Sequence, residues 1–244
     1  MYIMQNKKQT SNKELWLNPN AKRPATTGLN NAVYRSVAES ILSGNDRLGI
    51  NSIAKNLHIS PNTVDIAIKA LENVGAAKIS NRSFEITNLE KMLMYWAAVR
   101  KLNKSIAYST FVGTGVLNIE KMMPGEVAFT GCSGYTMLFG NDVADYGEVY
   151  VYATNAALEE IKKRFPQKNL SAVSNYADLY ILRPDKPLEL SMKTGIVKST
   201  VPKSQLYVDL WNIKGWQASM FFAKAKEHIF SEVNNTHNIE GAQR

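Results

Sequence analysis

Cysteine is almost absent from this 244-residue chain: Cys132 stands alone, which excludes a disulfide framework. A single thiol fits a reducing, cytoplasmic setting. Histidine is nearly as scarce. His58, His228 and His237 do not cluster at ligand spacing and have no second cysteine to join, so no zinc site is expected. Long apolar runs are also missing. The longest charge-free, apolar-leaning stretch, residues 127–141, is broken by Gly, Ser, Thr and Asn. A membrane-spanning helix needs about 20 apolar residues. The first residues, MYIMQNKKQTSNKELW, hold no apolar core of a secretory signal. The expectation is a chain with no membrane segment and no cofactor.

What is present is an ordinary globular composition, 45% hydrophobic and 20% charged. The length fits one or two domains and can bury a substantial core without staples. The charge is uneven. Residues 1–130 hold 16 Lys and Arg against 9 Asp and Glu, a net of +7, whereas residues 131–244 hold 13 against 12, a net of +1. A basic front half suits a polyanion such as double-stranded DNA. A merely soluble basic protein has the same composition.

Residues 1–28 are polar and end in AKRPATTG, which reads as an irregular basic arm. Lys22 and Arg23 can lie along a phosphate backbone there, or the arm can hang free. From Asn31 the pattern becomes helical, with Val33, Val37, Ile41 and Leu42 at helical spacing and Gly44 as a stop. A short helix follows over 52–57, with Ile53, Ala54 and Leu57 inward. Then comes HISPNTVDIAIKALENVGA. Ser60 is a good N-cap, and Pro61 fits the first helical position, where its missing N–H costs nothing. Val64, Ala67, Ile68, Leu71 and Val74 form one stripe, closed by Gly75. Residues 76–87 read as two short strands around Ser80-Asn81-Arg82, and Asn88 caps a helix over 89–102 that carries Leu93, Trp96 and Ala97 inward.

This order, helix, short helix, tight turn, capped helix and two-strand hairpin, resembles a winged helix-turn-helix domain over residues 29–88. Ala54 takes the place of the small residue that lets the two helices pack. The resemblance implies a recognition helix in the major groove and a wing on the backbone or minor groove. Asn62, Thr63, Asp65, Ile66, Lys69 and Asn73 are left on the free face of the helix. Asn62 can read adenine, and Lys69 can reach guanine or phosphate. Asn62 and Thr63 also lie at a helix start that favours a phosphate. Arg82 at the wing tip, with Lys55 and His58 beside the turn, completes the candidate DNA-binding set. Each has a plain alternative as a first-turn, solvated or turn residue. Residues 50–88 carry Lys55, Lys69, Lys78 and Arg82 against Asp65, Glu72 and Glu85, only +1. That weak excess leaves open a protein–protein module that packs its winged helix on a partner.

Residues 89–244 alternate strand and helix: strands at 126–131, 148–153 and 177–182, helices at 133–139 and 156–165, the latter capped by Asn155, and two more at 201–212 and 215–231. The chain is therefore expected to be α+β, with a mixed α/β domain after the winged one. Its strand–helix–strand order resembles the small nucleotidyltransferase core. Gly131-Cys132-Ser133-Gly134 occupies the place of that fold's phosphate-holding Gly-Gly or Gly-Ser turn. The next strand should then carry two carboxylates, one residue apart, to hold a metal. Here it reads Glu148-Val149-Tyr150-Val151-Tyr152, and Tyr150 and Tyr152 cannot replace them. Asp142 and Asp145 precede the strand at another spacing, so an enzyme is not expected. A nucleotidyltransferase using Asp142 or Asp145 is the remaining catalytic alternative. A Cys132 nucleophile is disfavoured, because the spacing of a nucleophile elbow is missing.

The tail, Val201-Pro202-Lys203-Ser204-Gln205-Leu206-Tyr207-Val208-Asp209-Leu210 followed by an Ala-rich helix, resembles the signature of AbiEi-like antitoxins of type IV toxin–antitoxin systems. VAFTGCSGYTMLFG is similar to a second pattern of that family, although Tyr135 departs from its usual small residue. The resemblance implies an autoregulating transcriptional regulator that antagonises a nucleotidyltransferase toxin. Gln205, Tyr207 and Asp209 themselves read as helix packing around a buried polar network. A two-fold dimer matches inverted half-sites, and so do two monomers side by side.

Overall fold

The computed structural model describes residues 28–241 except 46, 82, 141, 168–175 and 195–198, and it describes no side chains for 28 and 232–241. The chain is α+β, as its pattern predicts. Helix α1 (Gly28–Leu42) buries Val33, Val37 and Ile41, and the chain turns at Gly44, whose φ of +86° suits glycine. Strand β1 (Arg47–Gly49) follows, too short to show in the sequence. Helix α2 (Ile50–Leu57) buries Ile53 and Ala54 and ends at His58, whose φ is +53°. Helix α3 (Pro61–Asn73) starts as expected: the Thr63 N–H donates to Ser60 Oγ at 3.2 Å, a cap worth about 1 kcal/mol. Val64, Ala67, Ile68 and Leu71 are fully buried, whereas Val74 lies past the helix end and is 38% exposed.

Strands β2 (Ala77–Ser80) and β3 (Ser83–Ile86) pair antiparallel with Ser80 opposite Ser83, across a two-residue turn in which Asn81 has φ +54°. Strand β1 pairs with the other edge of β3, giving the order β1-β3-β2. Helix α4 (Leu89–Val99) is capped by Asn88 Oδ1, which accepts from the Lys91 N–H at 2.8 Å. It ends three residues earlier than the periodicity predicts. The chain becomes extended at Arg100, whose side chain runs into a buried polar cluster, and Leu102–Ser105 form a 3-10 turn.

The second sheet contains β4 (Ile106–Thr110), β5 (Val127–Thr130), β6 (Val149–Ala153) and β7 (Leu179–Leu182) in the order β4-β7-β6-β5. β6 and β7 are parallel; the outer pairs are antiparallel. Val151 and Tyr152, on opposite faces of β6, are both buried, as befits a central strand covered on both faces. Between and after the strands run α5 (Val116–Lys121), α6 (Gly131–Phe139), α7 (Asn155–Arg164), α8 (Lys186–Lys193), α9 (Lys203–Asn212) and α10 (Trp216–Gly241). α7 is capped by Thr154, not by Asn155: Thr154 Oγ1 accepts from the Ala157 N–H, because the helix already includes Asn155. α10 runs ten residues past the expected end at 231. Tyr207, Val208 and Ile229 of α9 and α10 pack into the same core as α1, α3 and α4, so the last two helices complete the N-terminal core.

Candidate nucleic-acid interface

The buried stripe of α3 fixes which residues face outward. Asn62, Ile66, Lys69 and Asn73 recur at helical spacing opposite Val64, Ala67, Ile68 and Leu71, and all four are exposed. Thr63 is half-buried and is tied to the cap, its Oγ1 lying 2.8 Å from Ser60 Oγ. Lys69 is exposed but pairs with Asp65 at 2.7 Å, one turn back. The ammonium must leave that carboxylate to meet a phosphate. Ile66 is 46% exposed, and an apolar side chain at this place matches a thymine methyl group. Glu72 is occupied otherwise: its carboxylate accepts from the Ile79 N–H at 3.2 Å and holds α3 to the hairpin.

Lys55 and His58 are exposed near the end of α2, and the His58 N–H donates to the Lys55 carbonyl at 3.2 Å. The turn thus presents them near the start of α3, together with Asn62 and Thr63. Arg82, Lys22 and Arg23 lie outside the described residues.

The tail motif builds a different feature. Asp209, Gln205, Thr130 and Tyr152 are buried together with Arg100. The Asp209 carboxylate accepts from Arg100 Nε, Thr130 Oγ1, Tyr152 OH and Gln205 Nε2, each at 2.9 Å. Arg100 Nη2 donates to the Tyr152 oxygen. Burial lowers the pKa of Arg100, but Tyr152 and Asp209 outweigh it and hold the guanidinium above its ordinary value. Burial drives the Tyr152 phenol well above its ordinary pKa; Arg100 opposes this and Asp209 adds to it. Gln205 Oε1 accepts from Arg35 Nη1 at 2.9 Å, and Arg35 pairs with Asp185 at 2.5 Å. Tyr207 faces the other way, its hydroxyl 3.2 Å from Met94 Sδ and its ring against Phe222. Gln205, Tyr207 and Asp209 are thereby all engaged in packing, whereas the buried Ser204 Oγ has no hydrogen-bond partner among the described residues.

At the opposite, amino-terminal ends of β6 and β7, Tyr150 stacks on Tyr180 at 4.4 Å with the planes 5° apart, and its hydroxyl donates to Glu148 at 3.1 Å. Burial raises the Glu148 carboxyl above its usual value. Asp142 accepts from Tyr135 at 3.2 Å. Among the described residues, no group of three His, Cys, Asp or Glu is placed to hold a metal. Gly131 is favoured by its backbone, with φ +63°, and Gly134 by space, since a Cβ there would lie 2.8 Å from the Phe129 carbonyl oxygen. Burial, with Glu148 nearby, pushes the Cys132 thiol up to about 12, so it is no ready nucleophile. Among the described residues no helix is long and apolar enough to cross a membrane.

Sequence reasoning did not single out Arg35, Arg100 and Asp185. The available signal was charge inside apolar runs: Arg35 sits among Val33, Tyr34, Val37 and Ala38, and Asp209 between Val208 and Leu210. No family model, curated protein or solved structure matches the chain.

Proposed function

We propose that the protein is a sequence-specific DNA-binding transcriptional regulator that uses residues 29–88 as a winged helix-turn-helix. The observation that carries this reading is the outer face of α3, where Asn62, Ile66, Lys69 and Asn73 form one exposed row on a helix capped by Ser60. The two-residue turn of the β2–β3 hairpin supports it as a wing. Asn62 reads a base edge, Ile66 meets a thymine methyl, and Lys69 leaves Asp65 for a phosphate or guanine. Lys55, His58, Arg82 and the arm residues Lys22 and Arg23 add phosphate contacts, each of which strengthens binding by releasing counterions.

The tail resemblance extends the proposal: the protein is an autoregulating antitoxin of a type IV pair, acting against a nucleotidyltransferase toxin in the cytoplasm. Residues 89–244 then serve as a nucleotidyltransferase-like scaffold without catalysis. The β5–α6–β6 order supports this, as do Tyr150 and Tyr152 where that chemistry needs carboxylates. A neighbouring reading frame encoding a nucleotidyltransferase is the expected companion.

One observation favours a second reading, a module for a protein partner: the Asp65–Lys69 pair and exposed Ile66 make the α3 face nearly neutral and partly apolar. A footprint on the DNA upstream of the protein's own gene, at two salt concentrations with excess competitor, separates the two. A discrete protected site that survives competitor is expected for the regulator. Diffuse, salt-labile binding, with co-purification of a partner, would transfer the assignment to the protein module.

A further inference from the structure

The carboxyl ends of the parallel strands β6 and β7 open onto a cleft of about 180 Å³. Ligands of open α/β sheets gather at this end of the strands. The sequence places four cations on the walls. Arg100 comes from the end of α4, Lys104 from the 3-10 turn, Arg183 from the end of β7 and Arg35 from α1. The Arg183 N–H donates to the Ser105 carbonyl at 2.8 Å, which brings Arg183 beside the turn that bears Lys104.

The charges do not balance. Asp185 lines the cleft and is taken by Arg35; Asp209 lies behind Arg100 and is taken by it. The four cations thus face two carboxylates, an excess of two positive charges. Among the described residues, Lys104 and Arg183 form no ion pair, and both are exposed at the rim. Arg100 has a side chain only 5% exposed, and its Nε and Nη2 are bonded to Asp209 and Tyr152. Its Nη1 makes no hydrogen bond with any described residue. An anion entering the cleft would meet an excess of positive charge and, at Arg100 Nη1, a donor that no described protein group uses.

From this geometry we infer that the cleft binds the phosphate or diphosphate group of a small molecule. A dianion matches the excess charge. Guanidinium groups suit phosphate oxygens because their donors pair with two oxygens at once. The volume equals about six water molecules, enough for the phosphate moiety, with the remainder of the ligand outside. Arg100 Nη1 supplies the inner contact; Lys104 and Arg183 close on the outer oxygens. Asn31, Ser105 and Tyr152 complete the wall with neutral polar groups. The site stands independently of the DNA reading, since none of its residues belongs to the α3 face.

The test is isothermal titration calorimetry of the full chain with inorganic diphosphate at fixed ionic strength. One saturable site is expected, weakened at least tenfold in both Arg183→Ala and Lys104→Ala, because each removes a charge-assisted contact. Both residues are exposed, so neither change disturbs the core. Lys121→Ala, which removes a charge on α5 outside the cleft, is expected to leave the affinity unchanged. No saturable binding, or equal losses in all three variants, would overturn the site and leave only diffuse attraction to a basic protein. ADP and GDP form a second arm. Binding tighter than that of diphosphate assigns the anion to a nucleotide; equal binding assigns it to the free anion, and either supports the site.

Discussion

Arg100 and Asp209 are 109 residues apart in sequence and meet at 2.9 Å, with side chains 5% and 0% exposed. The pair joins the end of α4 to the middle of α9, and Thr130, Tyr152 and Gln205 saturate the carboxylate. Removing one partner leaves the other charge buried and unpaired. Asp209→Ala is therefore expected to cost about 3–5 kcal/mol, measured by urea unfolding. The double replacement Arg100→Met with Asp209→Leu is expected to recover much of the loss. A single variant as stable as the wild type would show that the pair is not coupled to folding.

Ser60 caps α3 through the Thr63 N–H and also touches the Thr63 hydroxyl. Ser60→Ala should lower stability by about 1 kcal/mol in thermal unfolding, and Ser60→Asp should restore it. A null effect of the alanine would mean that water replaces the cap without cost.

Gly134 begins the second turn's packing of α6 against β5. A methyl group there meets the Phe129 carbonyl oxygen at 2.8 Å and its carbon at 3.1 Å, both backbone atoms. Gly134→Ala should therefore destabilise by about 1–3 kcal/mol, although alanine is the better helix former. Unfolding at unchanged denaturant concentration would indicate that the backbone yields.

Glu148 links stability to pH. Its carboxyl is raised from 4.5 by burial, which the hydrogen bond from Tyr150 only partly offsets. A folded pKa above the unfolded one means that the folded state holds the proton more tightly. The stability this contributes is complete below the unfolded pKa and is lost as pH rises from 4.5 through the raised value. Glu148→Gln should remove that fall. Chemical denaturation across this range is expected to show the two profiles diverging as pH rises; parallel profiles would exclude Glu148 as the source.

Local signals were legible in the sequence where local physics decides. Ser60-Pro61 marked the start of α3, Asn88 that of α4, and the hydrophobic stripe of α3 defined its outward face. Strand β1 has three residues and depends on pairing Leu48 with Phe84, a contact that no periodicity announces. Asn155 lost the capping position to Thr154 because both are good caps and only the path of the chain after β6 chooses between them. The Arg35–Asp185 pair spans 150 residues and arises from tertiary packing alone. The polar network around Gln205 and Asp209 was expected, but its partners Arg100, Thr130 and Tyr152 come from three distant segments.

The α3 face is tested most directly by the affinity of wild type, Asn62→Ala and Lys69→Ala for the upstream site and for random DNA across a salt series. Asn62→Ala should lose about 1–3 kcal/mol at the specific site and almost nothing on random DNA. Lys69→Ala, if the ammonium meets a phosphate, should weaken both and reduce the salt slope by about 1. Unchanged affinity of both variants at the specific site would contradict the account, since α3 would then present its exposed row to something other than DNA.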